Sequence, residues 1–235
     1  MTGARDRSYP GLARFEPHLE ALPEIQRALW PRLVALPPDA VLYGGTALAL
    51  RLRHRVSVDF DFFLPRSFEP GDMARAISGL GAFDVVQSAP DTLGVRVDGV
   101  WLSLFGVKLA AIAPPEITTD IGLPVASLRD LGATKVQAVV DRAEARDYED
   151  IAALLAAGIE LPDMLGSAQI VFGSRFSPLL ALKALTSFED GDLPTLPEVT
   201  RLRLVAAAAS VDRIPILDAY AATILPTASR GETSS

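Results

Sequence analysis

Over residues 23–36 the apolar positions Ile25, Leu29, Leu33 and Leu36 recur at helical spacing, and Pro37-Pro38-Asp39 ends the segment in a turn. Residues 40–43 form a short apolar strand that runs into Gly44-Gly45-Thr46, after which Ala47, Leu48, Leu50 and Leu52 predict a helix. Residues 58–64 place Asp59 and Asp61 in alternation with apolar positions, the pattern of a half-buried strand, and 68–80 carries a helical pattern. The segments 83–88, 92–97 and 100–105 are rich in β-branched and aromatic residues. Pro-Asp and Asp-Gly turns separate them, which predicts a meander. Beyond the prolines at 114, 115 and 124 the pattern becomes almost wholly helical. Ser127 with Asp130 resembles a capping box opening a helix that carries Lys135, Val136, Val139 and Val140. Further helices are predicted at about 147–157, 162–171, 177–188, 197–209 and 213–223. The chain therefore falls in the α/β (α+β) class. A mixed sheet flanked by helices is expected over 1–112, a mainly helical domain over 113–225 and a flexible tail over 226–235.

Composition narrows the function. At 235 residues, with 49% hydrophobic and 22% charged residues, the chain suits one large domain or a core plus a smaller one, and disorder or coiled-coil architecture is excluded. Lys plus Arg number 22 against 29 Asp plus Glu, a net charge of −7, which argues against broad binding to duplex DNA. The absence of cysteine excludes disulfides, thiolate zinc sites and cysteine nucleophiles. With only His18 and His54, a multi-histidine metal centre is excluded and a Ser-His-Asp hydrolase is hard to build. The opening Met-Thr-Gly-Ala-Arg-Asp-Arg lacks a signal peptide's apolar stretch, and no apolar run approaches the ~20 residues that cross a bilayer. A cytoplasmic protein with no membrane partner is expected.

Strand alternation turns Asp59 and Asp61 to one face, with Phe60, Phe62 and Leu64 on the other. Two carboxylates ~7 Å apart on one face repel one another, and a divalent cation removes that penalty. Oxygen-only ligands suit a hard cation such as Mg²⁺, which takes one or two carboxylates and completes its shell with water and substrate phosphates. Upstream, Gly44 and Gly45 leave backbone N–H groups at a helix N-terminus, where phosphate binds favourably. These parts together describe a phosphoryl or nucleotidyl transfer site. Ser57, in strand geometry, shares the carboxylate face, where it either touches substrate or is an ordinary edge serine. Arg51, Arg53, His54 and Arg55 form the densest basic cluster, read either as a solvated helix end or as an RNA backbone contact. His54 is in principle also a general base.

The run from Leu42 to Phe63, with Gly-Gly-Thr-Ala-Leu followed by Arg55-x-Ser57-x-Asp59-x-Asp61-Phe62, resembles the signature of the AbiEii/AbiGii toxin family of nucleotidyltransferases. A second resemblance lies in Ser127 to Lys135, then Arg142, then Arg146-Asp147-Tyr148-Glu149-Asp150-Ile151, similar to the family's lysine helix and its Arg-Asp-x-x-Asp-Leu element. It spans roughly 40–156 and implies the fold of the polymerase-β-like nucleotidyltransferase superfamily. By position it implies that Gly44, Gly45 and Thr46 contact the nucleoside triphosphate, with Arg55 and Ser57 beside them. It also implies that Asp59 and Asp61 bind Mg²⁺ or Mn²⁺, that Lys135 neutralises phosphate charge, and that Asp147 orients that lysine or the acceptor. Asp147 also reads as a plain helix N-cap. Lys135 is one of three lysines, with Lys108 and Lys183. The resemblance further implies an NTP substrate, tRNA as the acceptor class and a cognate antitoxin.

One departure stands out. Many polymerase-β-like enzymes carry a third carboxylate on a neighbouring strand, yet residues 100–105 contain no acid. Either Asp98 or Asp147 substitutes, or the site works with two ligands. The leading expectation is a metal-dependent nucleotidyltransferase acting as the toxin of a toxin–antitoxin or phage-defence module, with an RNA end or a protein hydroxyl as acceptor. The alternatives are a degenerate nucleotide-binding module and a small-molecule nucleotidyltransferase of the aminoglycoside-modifying type.

Overall fold

A computed structural model describes residues 9–225, so the tail expected over 226–235 and the opening residues lie outside the described residues. The elements in chain order begin with β1 (Arg14–Phe15), α1 (Glu24–Leu29), β2 (Val41–Tyr43), α2 (Gly44–Leu52), β3 (Asp59–Leu64) and α3 (Pro70–Ala76). The meander β4 (Asp84–Ala89), β5 (Thr92–Val97) and β6 (Val100–Gly106) follows, then β7 (Glu116–Thr118) and β8 (Pro124–Val125). The helical half comprises α4 (Leu128–Asp141), α5 (Ala145–Ala156), α6 (Leu161–Phe172), α7 (Pro178–Ala184) and α8 (Glu198–Ala209).

The strands form one mixed sheet in the order β1-β7-β8-β2-β3-β6-β5-β4. β2 runs antiparallel to β3, which runs parallel to β6 with Asp59 opposite Trp101, Asp61 opposite Ser103 and Phe63 opposite Phe105. On β3 the burial alternates as the sequence predicts: Phe60, Phe62 and Leu64 are buried, while Asp59, Asp61 and Phe63 keep partial access. The buried set faces the core layer that includes Trp30, whose ring lies 6.1 Å from that of Phe60. That apolar anchoring, worth about 1.5–3 kcal/mol for each buried Phe or Leu, holds the register that presents the two carboxylates on the opposite face. A one-residue slip would bury both acids.

Local chemistry explains where the elements depart from the pattern. The helix expected over 23–36 is α1 followed by a 3₁₀ turn, Trp30–Ala35, because Pro31 has no N–H and its ring clashes with the preceding turn. The helix expected over 68–80 shortens to α3 and a 3₁₀ turn, with Pro70 at its first position. The segment 213–223 is not helical: Pro215 interrupts it, and Ala221 instead pairs with Ala111 through backbone hydrogen bonds. The prolines at 114, 115 and 124 fall around β7 and β8, two short strands that periodicity misses, so the change from sheet to helices comes at Ser127. There the Ser127 hydroxyl caps α4, accepting from the Asp130 N–H at 3.1 Å.

α4 packs against α2, α5, α6 and α7 and so organises the helical half. Its position beside α2 brings Lys135 to the sheet. Among the described residues no single helix is long and apolar enough to cross a membrane.

Candidate active site

The start of α2 sets the site. Tyr43, at the end of β2 and opposite Asp61, is the extended N-cap, and the chain turns at once into the helix through Gly44 at φ +72°. Only glycine fits there on two grounds. The left-handed backbone disfavours other residues, and a Cβ at Gly44 would lie 2.6 Å from Asp61 Oδ2. At Gly45 an added Cβ would lie 2.2 Å from Arg55 Nη2 and 3.2 Å from Ser57 Oγ. The glycines let the helix N-terminus approach a carboxylate and a guanidinium at backbone distance.

A cavity of about 420 Å³ opens over this turn. Gly44, Gly45, Arg55 and Ser57 line one part of it, and Asp59, Asp61 and Lys135 another. These seven sequence-predicted site residues thus share one cavity. Thr46 does not reach it. The threonine is 1% exposed, and its hydroxyl is bonded to Ser57 Oγ at 2.9 Å and to the Asp59 carbonyl, so it braces the cavity from behind. Ser57 precedes β3 rather than lying in it, yet it meets the cavity.

Asp147 is no helix cap. Glu144 is the N-cap of α5, and Asp147 lies within the helix, fully buried, binding Lys135 Nζ at 2.7 Å and Arg142 Nε at 2.7 Å. It orients the lysine from outside the cavity lining. Burial pushes its carboxyl up, but the Arg142 hydrogen bond and the Lys135 charge outweigh burial and hold it below the usual range.

Asp150, to which the sequence pattern assigns no role, is the centre of this network. It is fully buried and takes Arg55 in a bidentate grip at 2.7 and 2.8 Å, His54 Nε2 at 2.6 Å and Lys135 Nζ at 2.6 Å. Burial raises its carboxyl, but hydrogen bonds from His54 and Arg55 with the Lys135 charge drive it well below the usual range. A signal for it exists in the sequence: Asp147 and Asp150 are three apart on α5 and therefore share a face. Two of the three ammonium protons of Lys135 are taken by these acids, leaving one for the cavity it lines. The basic cluster around Arg53 is likewise paired: Arg51 with Glu116, Arg53 with Glu20 and Arg55 with Asp150.

The two strand acids stand apart from that network. Burial pushes the Asp61 carboxyl up and the Asp59 charge pushes it further, against Lys135, a Ser103 hydrogen bond and Arg142. Two carboxylates crowded on one strand face, one of them pushed up by burial and by the charge of the other, fit a divalent cation. Among the described residues no group of three or more His, Asp or Glu is placed to cage a metal ion. The donor set therefore suits a cation completed by water and phosphate, such as Mg²⁺. Neither substitute for a third acid lines the cavity. Asp98, at the β5–β6 turn, pairs with Arg32, and the position opposite Asp61 is Ser103, whose hydroxyl accepts from Trp101 Nε1 at 2.7 Å. Trp101, Arg142 and Arg146 also line the cavity; the two arginines belong to the second family-like stretch of the sequence, whereas no local pattern marks Trp101.

Gly45→Ala tests the close approach. Arg55 cannot yield because Asp150 grips it at Nε and Nη2, so we expect stability to fall by about 1–3 kcal/mol, as for overpacking, and any anion that binds at the helix start to bind about tenfold more weakly. Titration calorimetry and urea unfolding measure the two effects, and unchanged values for both would show that the turn has slack.

Comparison with known proteins agrees with this geometry. The description "Nucleotidyl transferase AbiEii toxin, Type IV TA system" matches residues 27–100 and 95–220. An uncharacterized protein of Aquifex aeolicus (strain VF5) is 31% identical over 137 residues, covering 57% of this chain and 66% of that protein, just under two thirds of its length. Among solved structures, MenT4, a nucleotidyltransferase toxin from Mycobacterium tuberculosis H37Rv, shares the fold. Its TM-score is 0.54 at 19% identity, over 79% of this chain and 84% of that one. The Megavirus polyadenylate synthase aligns more loosely, with TM-score 0.39 at 13% identity, over 58% of this chain and 30% of that one. The family match runs through the glycine turn, the two strand acids, the lysine helix and the paired acids of α5, and the chain belongs to the AbiEii nucleotidyltransferase toxin family of type IV toxin–antitoxin systems.

Proposed function

We propose that the protein transfers a nucleotide from an NTP to a hydroxyl acceptor, an RNA end such as that of tRNA or a protein side chain, with Mg²⁺ or Mn²⁺ held by Asp59 and Asp61. The observation that carries this reading is the convergence of both acids, Lys135 and the Gly44-Gly45 helix start in one cavity. When bound, the cation would neutralise phosphate charge and polarise the α-phosphate.

The chain's own residues supply the rest. Backbone N–H groups at the start of α2, with Arg55 and Ser57, receive the β- and γ-phosphates. Lys135, still a charged ammonium, donates a hydrogen bond through its remaining N–H to a phosphate oxygen and stabilises the leaving pyrophosphate. Asp147 and Asp150 hold Lys135 and Arg55 in place, so little reorganisation is needed as charge develops. The acceptor oxygen forms a bond to the α-phosphorus while the bond to pyrophosphate breaks, and the hydroxyl proton leaves to water. The helices of 113–225 form the wall facing the sheet and select the acceptor, and a cognate antitoxin is the expected protein partner.

Label transfer from each α-labelled NTP to total RNA and protein extract tests this. Label on one macromolecule, absent from the Asp59→Ala, Asp61→Ala double variant, is expected and identifies base and acceptor together. Nucleotide binding with no pyrophosphate release on any acceptor would favour a ligand sensor instead, the reading that the neutral Ser103 opposite Asp61 supports. Transfer to aminoglycosides alone would make the acceptor a small molecule.

A further inference from the structure

Four cationic side chains, Arg55, Lys135, Arg142 and Arg146, line the cavity over the glycine turn, and they are not held alike. Arg55 commits all three guanidinium nitrogens, Nε and Nη2 to Asp150 and Nη1 to the Val56 carbonyl at 3.1 Å. Lys135 is shared between Asp147 and Asp150, and Arg142 sets Nε and Nη2 on Asp147. Both acids are fully buried, so breaking any of these contacts would strand a charge away from water. Arg146 differs. Its one hydrogen bond among the described residues runs from Nε to Glu144 Oε2 at 2.6 Å, and its two terminal nitrogens have no partner there. The side chains of Arg146 and Glu144 are 49% and 37% exposed, and an ion pair that open to water is worth little.

The Glu144 carboxylate serves no other contact. Among the described residues it meets only Arg146 and, at 3.5 Å, Arg142. Glu144 is the N-cap of α5, yet its side chain makes no capping bond, and the Ala145 N–H at that helix end is met instead by Asp192 Oδ1 at 2.6 Å. The backbone beneath is fixed. Gly191 packs so closely on the loop before α5 that an added Cβ would lie 2.1 Å from the Ala143 carbonyl oxygen. What can move at this edge of the cavity is therefore the pair of side chains and not the loop that carries them.

Charge gives that movement a direction. Arg55, Lys135 and Arg142 exceed Asp147 and Asp150 by one positive charge, which is all that the held network offers an anion once a divalent cation has neutralised Asp59 and Asp61. A triphosphate carries several negative charges, and its oxygens suit the planar guanidinium fork. We propose that Glu144 holds Arg146 in the absence of nucleotide and that an incoming triphosphate displaces it, drawing the Arg146 guanidinium onto a phosphate oxygen while Glu144 turns to solvent. Arg146 is then a substrate-binding residue, and Glu144 is an internal competitor that weakens nucleotide binding. The inference rests on the nucleotidyl-transfer reading of the cavity and adds to it the one lining cation that is free to follow the phosphates.

Calorimetry with Mg²⁺ and inorganic tripolyphosphate, then with each NTP, tests the exchange on the wild type, Glu144→Gln, Arg146→Ala and the double variant. Arg146→Ala is expected to weaken tripolyphosphate binding about tenfold, the scale of lost charge-assisted hydrogen bonds. Glu144→Gln is expected to tighten it about threefold, because a weak surface pair no longer competes. Damage to the fold does not produce such a gain. In the double variant the gain should vanish and leave the affinity of Arg146→Ala, since Glu144 acts through Arg146. A gain that persists there would reduce Glu144 to a nearby negative charge, and no gain in Glu144→Gln would show that it does not compete. Either result overturns this inference and leaves the reading of the cavity standing. Failure of tripolyphosphate to bind the wild type would overturn both. Should Arg146→Ala leave tripolyphosphate affinity unchanged and raise only the RNA concentration needed for half-maximal label transfer, Arg146 would serve the phosphates of the acceptor, and its assignment to the triphosphate would fall.

Discussion

Replacing Asp59 and Asp61 together by alanine is expected to lower nucleotidyl transfer by at least about a thousandfold while leaving the fold intact or more stable in metal-free buffer. The activity loss follows from the role proposed for the two acids as metal ligands, since stabilisation of the transferring phosphate is usually the largest catalytic contribution. The stability expectation follows from position. The two acids share one face of β3 with partial burial, repel one another and have, among the described residues, no ion-pair partner as close as those of Asp147 and Asp150. Their replacement removes a like-charge pair while Phe60, Phe62 and Leu64 keep the strand anchored. Steady-state transfer rates with thermal melting in chelator make the check. Retention of more than a tenth of wild-type activity would move the metal site elsewhere, and a large drop in melting temperature would make the acids structural.

Asp150→Ala is expected to destabilise the protein by about 3–5 kcal/mol, because removing one partner of a buried ion-pair network leaves the others uncompensated. Here those others are His54 and Arg55, from the loop between α2 and β3, and Lys135 from α4, which meet on this carboxylate. Urea unfolding measures the loss, and a change below about 1 kcal/mol would mean that water replaces the carboxylate readily. The pH dependence has a defined sign. The folded carboxyls of Asp147 and Asp150 lie below the ordinary value of 3.8. Their contribution is therefore fully present above about pH 4 and is lost as pH falls through the folded values. Wild type should lose stability steadily below about pH 4, and Asp150→Ala should show a shallower slope there. Catalysis falls in the same variant through a different route, since Lys135 and Arg55 lose the group that aims them. Asp150→Asn keeps the shape and part of the hydrogen bonding, and should recover stability before it recovers activity.

Much of the site is legible in the amino-acid sequence. The glycine turn between strand and helix, the alternation at 58–64, the Ser127 cap and the meander all depend on contacts within a few residues. Such features follow from backbone geometry and turn chemistry that each segment carries with it. Punctuation by proline is harder to read. Pro31 and Pro215 interrupt segments whose apolar spacing is helical, and β7 and β8 are too short to leave a period. The prolines after 112 mark turns around two strands of the same sheet, which composition alone does not distinguish from a linker.

The charge network belongs to another class of information. Arg55 meets Asp150 across 95 positions of chain, and β3 pairs with β6 in parallel only after the meander has crossed over. No local pattern encodes such partners, because periodicity reports which face a side chain occupies and not what will cover that face. Local sequence alone dictates that Asp59 and Asp61 point together, that glycine occupies the turn before the helix, and that Asp147 and Asp150 lie on one side of theirs. Packing of α5 and α4 against α2 makes Lys135 and Arg55 gripped rather than free. It also makes Thr46 brace the cavity instead of lining it. The physical reason is that alternation and capping are settled by covalent geometry, whereas a buried charge is settled only by whichever opposite charge the completed fold carries to it.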